Sequence, residues 1–107
     1  MNMNWPLDAT LTLIRRRRHY QPTFTTTRQN QQRQTWRTIS QEINNFHPNF
    51  NPNTDQTRSK WNALVQGFKN LERLLNNNRD YPLYRPTLHD EYFHEELSDQ
   101  FWLVECN

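Results

Sequence analysis

At 107 residues, 33% of them hydrophobic and with a mean hydropathy of −1.19, the chain has room for one small domain and an appendage, its core resting on fourteen aromatic side chains. The single glycine, Gly67, excludes the Gly-rich phosphate loop, the dinucleotide fingerprint and the nucleophile elbow, and five Val and Ile with no Asn-Gly or Asp-Gly step argue against hairpin-rich β folds. The formal net charge of +2 conceals a split: residues 1–79 carry twelve Lys and Arg against four acids, a net of +8, while residues 80–107 carry one Arg against seven acids, a net of −6.

A first helix is expected from about Pro6 to Tyr20, because Leu7, Leu11, Ile14 and the stem of Arg18 recur at i, i+4, i+7 and i+11. Pro6 suits a first turn and Asp8 suits the positive end of the helix dipole. Gln21, Pro22 and Thr23 end it, and residues 21–33 read as a polar loop anchored by Phe24 alone. Trp36, Ile39, Ile43 and Phe46 mark a second helix, closed by the turn-forming HPNFNPN at 47–53. Thr54 is the expected N-cap of a third. Its stripe of Trp61, Leu64, Val65, Phe68, Leu71 and Leu75 is the cleanest helical pattern in the chain and stops at Asn76, Asn77 and Asn78.

After a proline-marked linker over 80–86, Thr87 and Asp90 have capping-box spacing, and Phe93, Leu97, Phe101 and Val104 predict a fourth helix, amphipathic and acidic on its wet face. The expected organisation is therefore a basic three-helix domain over 1–79, followed by a linker and acidic aromatic helix over 80–107. No apolar run approaches the ~18–20 residues of a membrane span, and MNMNWPLDAT lacks a signal peptide's apolar stretch. A soluble intracellular protein with no membrane partner is expected, and the lone Cys106 points to a reducing compartment.

Three helices led by Trp5, Trp36 and Trp61, the third of them basic, resemble a Myb/SANT-like DNA-binding domain, and more closely its trihelix-type branch. The similarity rests on WPLDATLTLI at 5–14, QTWRTISQEI at 34–43 and TDQTRSKWNALVQGFK at 54–69. The last keeps the spacing T-x-Q-x-x-x-K-W-x-x-L-x-x-x-aromatic-K and is the most specific part. The resemblance covers residues 4–72 and extends less closely to 103. Two departures are Ala9, where that family usually has glutamate, and the unusually polar loop at 21–33.

The resemblance implies an all-α, homeodomain-like three-helix bundle with the acidic amphipathic fourth helix appended. It also implies a double-stranded DNA partner, with the third helix in the major groove, where side chains on its outer face meet base edges. With Trp61, Leu64, Val65 and Phe68 turned to the core, that face carries Asp55, Ser59, Asn62, Ala63 and Gln66, with Arg58 on its flank. Asn62 and Gln66 can pair bidentately with adenine, Ala63 can touch a thymine methyl, and Arg58 can reach guanine or phosphate. Arg37, Lys60, Lys69 and Arg73 are the expected phosphate contacts, and Trp5, Trp36 and Trp61 the core tryptophans. The same outer face is also what any solvated helix presents.

Other sites are weaker. Arg15–Arg18 resembles a nuclear-localisation run, but in a helix its members face different ways, Arg18 toward the core, which favours a phosphate-facing or solvated role; a nuclear location is expected from the DNA-binding resemblance. His94-Glu95-Glu96 does not continue into HExxH and Cys106 lacks a paired thiol, so no metal and no cofactor are expected. The carboxylates near Asp90 and Glu95 belong to an acidic helix without a pocket-forming scaffold, so no enzyme activity is expected. Phe93, Leu97, Phe101 and Trp102 form too much apolar surface to stay wet, which favours docking on the three-helix part, dimerising or binding a protein partner over an acidic helix that lies on the basic face and competes with DNA. The alternative function is a SANT-type interaction or adaptor subunit that recruits an enzyme or transposase to chromatin. The charge of +8 on residues 1–79 disfavours histone-tail binding.

Overall fold

A computed structural model describes the backbone of residues 4–76 and 88–103, and the side chains of 4–73 and 92–103. The described residues are helical and contain no strand: α1 (Leu7–His19), α2 (Gln21–Thr26), α3 (Gln32–Phe46), α4 (Thr54–Asn76) and α5 (Leu88–Glu96), with 3-10 turns at Gln29–Gln31 and Phe101–Leu103. The chain groups into two compact units, one of residues 1–61 with 101–107 and the other of residues 62–100.

In the first unit α1 packs on α3, and the short α2 touches both. Pro6 stands just before α1, its carbonyl accepting from both the N–H and the hydroxyl of Thr10. The buried face of α1 is Ala9, Thr10, Leu13, Ile14 and Arg17. This corrects the expected stripe: Leu7 is 52% exposed and Arg18 lies outside the core, while its neighbour Arg17 is only 8% exposed. A polar residue can occupy a core position when its polar atoms are satisfied locally, as Thr10 is by Pro6. Arg17 is held by rings. Its guanidinium lies 3.9 Å from the Phe24 centroid, 5.3 Å from Trp61 and 6.0 Å from Trp36, and it donates to Gln21. Burial lowers its pKa to about 10, so it stays charged at neutral pH.

The expected 21–33 loop is largely helical. Pro22 sits in the first turn of α2, where its missing N–H costs nothing, so it starts a helix here and does not stop one. Phe24 is the buried anchor, its ring 5.1 Å from that of Trp36, and Gln32 Nε2 donates to the Phe24 carbonyl. Along α3, Trp36, Ile39 and Ile43 are buried, but Phe46 is 65% exposed. The next residue, His47, makes the contact to α1 instead, its Nε2 lying 2.8 Å from Thr12 Oγ1. Trp5 is half-buried against Phe50, edge to face at 4.7 Å, whereas Trp36 and Trp61 are fully within the core.

The fourth expected helix is shorter than the apolar spacing suggests. α5 ends at Glu96, and Gln100 takes a left-handed backbone with φ 48° before the 3-10 turn begins. In the second unit Phe93 and Leu97 are buried together with Leu64, Phe68 and Leu71. His94 joins α5 to α4 there, stacking on Phe68 at 4.9 Å and placing Nε2 2.6 Å from Glu72 Oε1. Phe101 and Trp102 instead belong to the first unit, each ring 5.7 Å from Trp61, with Arg18 over the Phe101 ring at 4.4 Å. Thr87, the side chains of Leu75 and Asp90, Asn77–Asn78 and Val104 lie outside the described residues.

Candidate nucleic-acid interface

α4 carries most of the residues expected to meet DNA, and its start is fixed by reciprocal side-chain bonds. Asn53 Oδ1 accepts from the Gln56 N–H at 2.8 Å, and Gln56 Oε1 accepts from the Asn53 N–H at 2.9 Å. The cap is therefore Asn53, one residue before the expected Thr54, with Gln56 completing a capping box. A buried hydroxyl relay ties this end to α3: Ser40 Oγ donates to Thr57 Oγ1 at 2.7 Å, and Thr57 donates to the Asn53 carbonyl at 3.0 Å. Both side chains are satisfied, which makes burying them tolerable.

With Thr57 and Trp61 turned inward, Asp55, Arg58 and Ser59 are exposed in the first unit. In the second, Leu64, Phe68 and Leu71 are buried, and Asn62, Ala63, Gln66, Lys69 and Arg73 are exposed. Arg58, Ser59, Asn62 and Lys69 make no side-chain hydrogen bond or ion pair among the described residues. Other members of the face are engaged. Asp55 Oδ1 accepts from Arg33 Nη1 at 2.9 Å, an exposed pair linking α3 to α4. Asn70 Oδ1 accepts from Gln66 Nε2 at 3.0 Å and from Arg73 Nη2 at 3.3 Å, which leaves the Gln66 carbonyl oxygen available.

Lys60 differs from Lys69. It is half-buried, and desolvation pushes its ammonium below the usual lysine value. Arg37 projects from α3 into solvent and lines two open hollows of about 560 and 450 Å³ that share Arg37 and Thr54. Sequence reasoning missed these hollows, although their signal was present in Gln34, Arg37, Gln41 and Asn45, which recur at helical spacing along α3.

The four arginines of the 15–18 run have four different surroundings. Arg15 is exposed, Arg17 is buried and Arg18 covers Phe101. Arg16 Nη1 lies 3.9 Å from Glu42 Oε1, the oxygen that accepts from the Tyr20 hydroxyl at 2.9 Å. Burial and then the Glu42 carboxylate raise the Tyr20 pKa, with Arg16 pulling the other way. Among the described residues no group of three or more His, Cys, Asp or Glu is placed to share a metal ion. No helix among them is long and apolar enough to cross a membrane.

No curated protein and no solved structure matches this chain. The family model of the Myb/SANT-like DNA-binding domain matches residues 2–97, a span that takes in all three tryptophan-led helices and α5. With that match over most of its length, the chain belongs to the Myb/SANT-like DNA-binding domain family.

Proposed function

We propose that the protein is a nuclear, sequence-preferring double-stranded DNA binder of the trihelix-type branch, a regulator of transcription that inserts α4 into the major groove. The observation that carries the reading is the outer side of α4 within a DNA-binding family: exposed residues able to hydrogen-bond base edges, backed by a helix side that is buried. Asn62 and Gln66 read adenine, Ala63 meets a thymine methyl, and Arg58 and Ser59 reach bases near the start of the helix. Asp55 accepts from a cytosine amino group once it leaves Arg33. Arg37, Lys60, Lys69 and Arg73 hold phosphates and set the register, Lys60 contributing least because of its burial. The family is one of DNA-binding domains and not of enzymes.

The test is fluorescence anisotropy of the full chain on duplex DNA. With about four phosphate contacts, raising salt fourfold weakens binding roughly 150-fold. Asn62→Ala flattens the preference among duplexes of different sequence while leaving the salt slope intact. Lys69→Ala weakens all duplexes alike and lowers the slope by about 0.9. Absence of binding even at low salt defeats the reading, and two silent variants defeat the docking of α4.

A further inference from the structure

We infer that the groove between α3 and the start of α4 is a phosphodiester track held mainly by uncharged amides, which seats one DNA strand beside α4. This rests on the DNA-binding reading above and adds to it the place and chemistry of the strand.

The two hollows adjoin each other, sharing Arg37 and Thr54, and both lie wholly in the first unit. Gln34, Arg37, Gln41 and Asn45 line its α3 side, and Asn51 lines the other. All five are exposed, and none makes a side-chain hydrogen bond or ion pair among the described residues. No Asp or Glu lines either hollow, and the second cation there, Arg33, is taken by Asp55.

The result is one unpaired positive centre flanked by amide N–H donors, with no carboxylate in the lining itself. From residue 34 to residue 45 the helix advances about 16 Å. That distance compares with a few nucleotide steps of one strand, each about 3.4 Å along the duplex axis. A ligand with repeated negative charge fits this better than a neutral peptide, whose carbonyls can accept from the lone guanidinium but bring no charge to match it.

Amides displace no counterions when they bind phosphate, so their share of affinity does not decay with salt, whereas that of Arg37 does. The experiment compares the full wild-type chain with Gln41→Ala/Asn45→Ala, Gln34→Ala/Asn51→Ala and Arg37→Gln. Each is titrated onto a mixed-sequence duplex at 50 and 200 mM salt, with thermal melting as a control for folding. Each amide pair should weaken binding roughly three- to tenfold, equally at both salts. Arg37→Gln should reduce the salt slope by about 0.9, which is about 3.5-fold less weakening over that range. If wild type binds and both amide pairs bind like it, or if Arg37→Gln leaves the slope unchanged, the groove is not the track and the DNA reading stands without it. A wild-type chain that binds no duplex at 50 mM overturns the DNA reading itself.

Discussion

The two compact units hold a basic side chain against aromatic rings by different means, Arg17 buried and His94 half-buried. In the first, Arg17 is buried among Phe24, Trp36 and Trp61 with Gln21 as its hydrogen-bond partner and, among the described residues, no carboxylate in an ion pair with it. In the second, His94 stacks on Phe68 and leans on Glu72 at 2.6 Å, a pair that is ionic only when the imidazole is protonated. The aromatic cage works at any protonation state of its neighbours, because ring faces do not titrate. A chain short of aliphatic residues has thus used a cationic side chain as core filler where three rings surround it, and a ring stack joined to a hydrogen bond where one ring is available.

Breaking the cage should have the largest effect. Arg17→Ala empties the space between three rings and is expected to cost about 3 kcal/mol, read by chemical denaturation. Arg17→Met keeps a long stem and removes a charge that has no acid beside it, so it should lie within about 1 kcal/mol of wild type or above it. A methionine variant as damaging as alanine would show that charge, and not filling, holds the rings. The His94 contact is weaker. His94→Ala should cost about 1 kcal/mol and appear as faster amide exchange in α5, and His94→Phe should recover the stacking share.

The smallest effect concerns pH. The folded chain keeps Tyr20 protonated above its ordinary value near 10, while the unfolded chain releases that proton first. Stability from the neutral hydroxyl is therefore complete below about pH 10 and declines as pH climbs past it. Tyr20→Phe should remove that part of the alkaline decline in denaturation series run on either side of the transition.

α1, α3 and α4 are legible because tryptophan and aliphatic residues recur at helical spacing, and the expected core side of α4 holds at Trp61, Leu64, Phe68 and Leu71 but not at Val65, which is only half-buried beside them. The face of α1 was misread because hydropathy ranks Leu7 above Thr10 and Arg18 level with Arg17. Only three-dimensional partners, the Pro6 carbonyl and three rings, make Thr10 and Arg17 core residues. α2 was hidden by Pro22, which breaks a helix in its interior and opens one at its start. The end of α5 was hidden because Phe101 is apolar in register with Leu97 but is buried against Trp61 after a change of backbone direction at Gln100. On the outer side of α4 the residue types were legible, but the engagement of Asp55 by Arg33 and of Gln66 by Asn70 was not, since exposed side-chain pairing leaves no periodic trace.

One consequence lies in the backbone. The chain's single glycine sits inside α4 with nothing within 4 Å of where a methyl group would be, so no packing demands it. Among the described residues the one in the left-handed region is Gln100, a position where glycine would be at ease. A helix-interior glycine gives up about 1 kcal/mol relative to alanine, and a left-handed glutamine gives up about as much relative to glycine. The two residues stand, in effect, at each other's best positions, so the fold rests below the stability its own trace allows, and this reserve is independent of both cores.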